Sequence, residues 1–512
     1  MLGACKSKDK GETAKSEVQV SSKSITTKSL SAKSFEDVLE VGSRKVSKAD
    51  SKQALSDMGL GKASDIKWAA KSEKNGRHIY NSVSLEGDDG ETINIETLTV
   101  TGPHMVDGDP SFDRLDIEGL SVTGDDATAK IARLSMAHPS PKIGAGIMKS
   151  LESIEDVREL DDLNLAKDER AFGAMLMENM SVTADDANID VATIGWAEDQ
   201  DTGKGTFLLK GLNVDSEKNG PAANISLNSI AATGVNVKYF RSLSELNSGA
   251  SNPIMGLNPY ASQFDSFSLK DFKLSADTLS IVTDGYESVS SQKGSVTTSE
   301  QNIKPITIKF TEEPTSRDVM QFYQSLQAVG FDELVLSGAS STVMNEKTDT
   351  VSVEDAWFKL DDGFTLRYDY EGTGATAMLN GLRHSDGEEL TQTELNAVLD
   401  KVTLNSLNLK LTDQSIVEKI ISNMSQQQGV SPKLVRLQAK AGLGALTFMA
   451  KNDGQAEFLG DLSSSLGNFL DDGGTLNISL NPQTPVSASF FKDMNPQDID
   501  PAQLGVSVSH SQ

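Results

Sequence analysis

The sequence predicts a mainly β protein: an elongated stack of antiparallel hairpins, repetitive and groove- or solenoid-like, with short helices between repeats and a C-terminal helical insertion. Three observations predict it. Apolar and polar residues alternate with period two along much of the chain, the signature of half-buried strands. A hairpin phrase returns several times, which implies units that each bury an apolar face against a neighbour. At 512 residues the chain exceeds what one compact core encloses.

Taken in order, residues 1–5 form a lipobox-like segment. Residues 6–34 are Lys, Ser and Thr with few core-forming residues, seven Lys against Asp9, Glu12 and Glu17, and a disordered tether is expected over about 6–50. The β-repeat body is expected over 60–410. Tyr80-Asn-Ser-Val83-Ser-Leu85 alternates, EGDDGE turns, and Ile93-Asn-Ile95-Glu-Thr97-Leu98-Thr-Val100 alternates again, which reads as a hairpin. IEGLSVTGDDATAKIARLSM starts at Ile117 and MENMSVTADDANIDVATIGW at Met177, aligning Ser121 with Ser181, Val122 with Val182, Thr123 with Thr183 and Asp125-Asp126-Ala127 with Asp185-Asp186-Ala187. Looser copies start at Leu208, Phe267 and Phe331, VSVEDAWFKLDDGFTLRYDY continues from Val351, and LNSLNLKL from Leu404 repeats the opening strand.

Between hairpins, residues 140–157 and 315–330 carry apolar residues at helical spacing, and Thr391-Gln-Thr-Glu394 has capping-box spacing. A helical module is expected over 411–472. There Asp413 can cap a helix that Gly429 stops, Pro432 can open a second, and a third runs through QAEFLGDLSSSLGNFL. Residues 473–512 return to strand patterning and complete the body.

The composition excludes some functions. With 47 basic and 74 acidic residues the net charge is −27, and no Lys/Arg cluster lies on a folded-looking segment, so a nucleic-acid partner is not expected. Aromatic residues make up 5%, so Val, Ile, Leu and Ala must fill the core. His78, His104, His138, His384 and His510 share no metal-ligand spacing, and HExxH, CxxC, GxSxG and GxxxxGK[ST] are absent. Neither a metal nor a cofactor is expected, and a hydrolase with an assembled triad ranks last. Carboxylate pairs are frequent (Asp88-Asp89, Asp125-Asp126, Asp161-Asp162, Asp185-Asp186, Asp361-Asp362, Asp471-Asp472), as is acid in Asp107-Gly-Asp109-Pro-Ser-Phe-Asp113-Arg-Leu-Asp116. These read as turn chemistry ahead of cation ligation, because Asp side chains bond nearby backbone in turns.

The single cysteine, Cys5, ends Leu2-Gly3-Ala4-Cys5, which fits a bacterial lipobox and precedes the polar tether. Cys5 is therefore the expected lipidation site and membrane anchor, a reading that requires an apolar leader encoded ahead of Met1.

The unit IEGLSVTGDDATAKIARL (Ile117–Leu134) and the C-terminal LNLKLTDQSIVEKIISNMSQQQGVSP (407–432) resemble bacterial envelope proteins of the AsmA-like, repeating β-groove kind. The resemblance covers roughly residues 80–510. It implies a periplasmic location and a concave β-surface able to hold acyl chains, and it carries over no functional residue.

The expected function is that of a non-enzymatic, periplasm-facing envelope lipoprotein, anchored at the outer membrane rather than the inner. It would bind or shuttle a lipid-like ligand, or scaffold envelope maintenance. Val122, Ile131, Val182, Val191, Leu212, Ile225 and Leu274 are the candidate groove residues. The alternative is a cell-surface or matrix β-repeat protein stabilised by cations at its Asp-rich turns. Mass spectrometry of the mature N-terminus is expected to find a diacylglyceryl adduct on Cys5; an unmodified thiol there rejects the anchor.

Overall fold

The computed structural model describes residues 27–61 (apart from 28 and 43), 66–86, 91–140 (apart from 125), 143, 173–199, 201–216, 223–237, 262–314 (apart from 277), 317–378, 391–492 and 500–512. Two helices come first, α1 (Lys33–Leu39) and α2 (Lys48–Leu55), and a π-helical turn, Ser56–Leu60, prolongs the second. Strands follow: β1 (Lys67–Lys74), β2 (Arg77–Glu86), β3 (Thr92–Thr101), the short ribbon β4 (His104–Val106) and β5 (Asp109–Ser111), β6 (Arg114–Thr123) and β7 (Ala127–Ala137). Then come β8 (Ala174–Ala184), β9 (Ala187–Glu198), β10 (Lys204–Ser216), β11 (Ala223–Asn236), β12 (Ser266–Ala276), β13 (Leu279–Lys293) and β14 (Val296–Phe310). Helix α3 (Arg317–Val329) precedes β15 (Glu333–Asn345), β16 (Thr350–Leu360) and β17 (Phe364–Thr373), and α4 (Gln392–Leu399) precedes β18 (Thr403–Asp413). The helical module comprises α5 (Ile416–Gln428), α6 (Pro432–Leu446) and α7 (Asp453–Asp472). The chain ends with β19 (Thr475–Leu480), β20 (Val486–Ser487), α8 (Ala488–Lys492), α9 (Pro501–Leu504) and β21 (Val506–Ser511).

The expected β-rich repeat is present, and its hairpins join edge to edge into one 19-stranded antiparallel sheet. Strand order follows chain order: β2 pairs with β3, β3 with β6, β6 with β7, and so on to β18 with β19 and β19 with β21. The sheet is not closed into a barrel. Its first strand, β1, pairs with β2 and presents Lys67, Lys71 and Lys74 along the edge, charge that discourages a foreign strand from adding there.

Most strands carry one local slip in their alternation. Ser82, Gly119, Asn179, Gly211, Asp271 and Asp355 have φ of 53°, 65°, 50°, 64°, 49° and 50°, each in the middle of a strand. A left-handed residue reverses the pleat locally, so the apolar residues flanking it are three apart instead of two and still share a face. Thus Ile117 and Leu120 flank Gly119, Met177 and Met180 flank Asn179, and Leu209 and Leu212 flank Gly211. At Gly119 the close approach explains the residue type, since a Cβ would lie 2.4 Å from Glu96 Cγ. The neighbouring strands slip in step: Ile95 and Leu98 pair with Leu120 and Ile117 without a shift of register.

Both halves of these strands enter one core. Val83, Leu85, Ile93 and Ile95 from one side of the slip pack in the same cluster as Tyr80, Leu98, Val100, Leu115 and Ile117 from the other. Leu55, Met58 and Leu60 from α2 and its π-helical turn cap this cluster.

The stretch expected as a tether needs correction at its C-terminal side. Residues 33–39 are helical because Phe35 and Leu39, four apart, are both fully buried against Leu176, Leu208 and a floor of Ala137, Ala174, Ala197 and Ala231. The ring of Phe35 fills the notch left by Gly195, where a Cβ would lie 2.5 Å from Phe35 Cε2. Arg133 clamps the helix with ion pairs to Glu36 (2.6 Å) and Glu178 (3.2 Å), and the hydrogen bond from Arg133 holds the Glu36 carboxyl below its ordinary range. Arg114 donates to Leu39 O and to both carboxylate oxygens of Asp116. Residues 1–26, including Cys5, and nearly all of the helix expected over 140–157 lie outside the described residues.

Other local expectations are met. Helix α3 occupies most of 315–330. The capping box at α4 is formed, Thr391 N donating to Glu394 Oε2 (2.9 Å) and Glu394 N to Thr391 Oγ1 (3.3 Å). Val417 N donates to Asp413 Oδ1, Gly429 ends α5 with φ of 65°, and Pro432 opens α6.

If the left-handed residue sets the slip, Asn179→Gly leaves stability within about 0.5 kcal/mol, whereas Asn179→Val lowers it by roughly 1–2 kcal/mol. Urea unfolding of the two variants measures this; equal midpoints would remove the argument.

Candidate functional site

Directly paired residues on adjacent antiparallel strands point to the same face, so the registers trace rows of side chains across the sheet. One row runs Leu85, Ile93, Val122, Ala129, Val182, Ile189, Val214, Ile225, Leu274, Ile281, Ile308, Leu334. The next, two residues along each strand, runs Val83, Ile95, Leu120, Ile131, Met180, Val191, Leu212, Leu227, Phe272, Thr283, Ile306, Leu336, Leu360. Beyond the slip a third row continues on the same face: Tyr80, Leu98, Ile117, Leu134, Met177, Ile194, Leu209, Ile230, Leu269, Tyr286, Ile303, Gly338, Phe358. A line of slips therefore forms an apolar crease, with apolar rows on both sides.

The opposite face differs in chemistry. The row lying between the first two carries Asn94, Ser121, Lys130, Ser181, Asp190, Asn213, Ser226 and Lys273. Away from the α1 notch, this polar side has no need of a second layer, whereas the crease side does.

All seven sequence-predicted groove residues fall in the crease, in two adjacent rows: Val122, Val182, Ile225 and Leu274 in the first, Ile131, Val191 and Leu212 in the second. Val191 is buried and the other six are half-buried. The third row was missed, although Ile117, Met177, Leu209 and Leu269 are legible in the repeats. The signal that would have found them is the Gly, Asn or Asp two residues beyond each, at positions 119, 179, 211 and 271.

Coverage of the crease is uneven along the sheet. At β2 and β3 the rows are buried under α2 and the π-helical turn. At β18, β19 and β21, α5, α6 and α7 pack Val417, Ile421, Val435 and Phe469 on Leu411, Leu476, Ile478 and Val508. Between them the first-row residues Val182, Ile189, Val214, Ile225, Leu274, Ile281, Ile308 and Leu334 are half-buried, while the second row mixes half-buried Met180, Leu212, Phe272, Ile306 and Leu336 with buried Val191, Leu227 and Thr283. This stretch, from β8 to β15, measures about 35 Å at roughly 4.8 Å per strand. At its margin α3 sets Phe322 and Tyr323 edge-on to Phe310, with centroids 5.9 and 5.3 Å away.

Polar groups within the crease are few and serve the backbone or the caps. Asn228 Nδ2 donates to Asp271 Oδ2 (2.7 Å) along the line of slips. Under α2, His78 Nε2 lies 3.3 Å from Ser51 Oγ, and the ring is buried beside Tyr80, itself edge-on to Trp68 and under the ammonium of Lys71. Burial lowers the His78 pKa, with Lys71 acting in the same sense and Glu73, 3.9 Å from Nδ1, against it. Burial likewise raises the Tyr80 hydroxyl.

Several of the remaining acids and histidines bond nearby backbone or pair with a basic side chain, Asp113 with Arg44 among them. Asp199 Oδ1 accepts from the backbone of Asp201 and Thr202, which holds its pKa down. Asp361 pairs with Lys359, and Asp471 with Lys440. His104 Nδ1 lies 2.8 Å from Gly102 O and His510 Nε2 2.7 Å from Gly473 O. Among the described residues, no group of three or more His, Cys, Asp and Glu is placed to hold a metal ion. Among them also, no helix is long and apolar enough to cross a membrane. Asp88-Asp89, Asp125, Asp161-Asp162 and His384 lie outside the described residues.

A family model described as "Uncharacterized protein" matches residues 357–511, from β16 through the helical module to β21. No curated protein matches the chain.

A histidine whose folded pKa is lowered binds its proton more weakly in the native state than in the unfolded one. Its neutral form therefore supports the α2 cap fully above about pH 6.5, and that support is lost as pH falls through the depressed folded value. Protection factors of residues 48–60, corrected for the intrinsic exchange rate at each pH, are expected to fall below about pH 6.5 in the wild type, with a shallower pH slope in His78→Gln. Identical slopes would exclude His78 as the source.

Proposed function

We propose that the protein is a non-enzymatic carrier or binder of a lipid-like molecule, whose acyl chain lies in the crease between β8 and β15. The observation that supports it is the continuity of the apolar rows across strands on whose crease side no described helix packs, while the third row runs from buried Leu98 and Ile117 at one end to buried Leu476 at the other. An apolar chain placed along the crease leaves water at about 0.8 kcal/mol per buried CH₂, and the rows offer it apolar neighbours on both sides of the line of slips. A site that recognises chain rather than headgroup fits the scarcity of charged side chains in these rows.

The same reading places the protein on the periplasmic face of a bacterial envelope, attached by lipid on Cys5. The crease would then shelter an acyl chain in an aqueous compartment that acyl chains do not otherwise cross. Scaffolding in envelope maintenance is compatible with the same surface, since a carrier and a scaffold differ in whether the chain leaves.

The test is direct. Organic extraction of purified protein followed by lipid mass spectrometry is expected to recover acyl lipid, and a fluorescent fatty acid is expected to bind. Val214→Asp places a carboxylate in the first row, where no described cation pairs with it, and is expected to weaken binding by about tenfold or more. Asn213→Asp, one residue away on the polar face, is the matched control and is expected to bind normally. Lipid-free protein that also ignores the fluorescent probe would rule out the carrier reading.

A further inference from the structure

Away from the crease, the largest exposed apolar side chains gather in the helical module. Phe448 is 90% exposed and Leu437 62%, and Leu434, Ile420 and Met424 are exposed as well. On α6 and the turn that follows it, Leu434, Leu437, Ala441 and Phe448 recur at helical spacing and are all exposed, while Val435 alone faces inward as a buried residue of that helix. Exposed apolar stripes of this kind mark a surface that is covered in use.

The charge of the same segment indicates what covers it. Residues 419–452 are the longest run without Asp or Glu in a chain of net charge −27, and they carry Lys419, Lys433, Arg436, Lys440 and Lys451. Three of these cations are ion-paired, Lys419 with Asp362, Arg436 with Glu418 and Lys440 with Asp471, which neutralises the acids beside the segment and leaves Lys433, next to Leu434, as the cation that no described acid pairs. An apolar stripe bordered by cations is the pattern of a helix that lies in the interface of a bilayer, with its apolar side chains among the acyl chains and its cations at headgroup level.

We propose that α5 and α6 dock on a lipid bilayer surface, with Leu434, Leu437 and Phe448 inserted and Lys433 at the headgroups. The docking does not depend on the crease holding lipid. If both hold, it sets one end of the crease at the membrane, because the third apolar row continues from Phe358 through Leu366 and Leu411 to Leu476 beneath these helices.

The experiment uses the full chain carrying Cys5→Ser, so that an acyl anchor contributes nothing, and co-sedimentation with phosphatidylcholine vesicles with and without phosphatidylglycerol. Binding is expected, tighter with phosphatidylglycerol and weaker in high salt. Leu437→Asp with Phe448→Asp is expected to lower bound protein by about tenfold or more at equal lipid, and Phe448→Ser alone severalfold, with unchanged melting temperatures because both side chains are exposed. Val214→Asp is expected to sediment with vesicles as the parent does, which separates this surface from the crease. The proposal is overturned if the parent ignores both vesicles, if the stripe variants bind as well as the parent, or if the stripe instead drives a dimer that the substitutions abolish.

Discussion

The structure depends on one backbone constraint: a left-handed residue in the middle of many of its strands. In a regular strand, alternate residues face opposite ways, and a sequence with apolar positions three apart would bury one half and expose the other. Ser82, Gly119, Asn179, Gly211 and Asp271 resolve this by reversing the pleat once in β2, β6, β8, β10 and β12, and the strands paired with them slip in step. The slips occur at matching registers, so the disruption becomes a line across the sheet instead of scattered defects. The apolar crease, the polar reverse face and the need for covering elements at the ends all follow from that line.

The two faces solve their burial in different ways. On the crease side, whole elements are laid over the rows: a helix with its π-helical turn at one end and three helices at the other. On the polar side, the short helix α1 is accepted where Leu176 and Leu208 are surrounded by Ala and Gly, and its orientation is fixed by Arg114 and Arg133. Removing area from water drives both arrangements, and ion pairs help to fix position in both, Arg133 with Glu36 on α1 and Lys419 with Asp362 on α5.

Much of this was legible in the sequence. Period two gave the strands, the 60-residue offset between Ile117 and Met177 gave the repeat, and the caps at Thr391, Asp413, Gly429 and Pro432 were read from residue type alone. The seven groove residues chosen from alternation share one face, yet alternation could not extend the choice past Gly119 or Asn179, where the period breaks. The burial of residues 33–39 was hidden for a different reason. Phe35 and Leu39 are two apolar residues in a Lys/Ser-rich context, and their partners, Leu176, Gly195 and Leu208, lie more than a hundred residues downstream. Local composition carries no information about a notch built that far away.

The strictly sequential order of the strands has an evolutionary consequence. Because each hairpin bonds only to the hairpins before and after it, gain or loss of a pair of strands lengthens or shortens the sheet without disturbing any other register. The end elements, which belong to the first and last strands, would simply move apart or together. A gene of this kind can therefore tune the reach of its product in steps of about 10 Å per duplicated hairpin, at roughly 4.8 Å per strand.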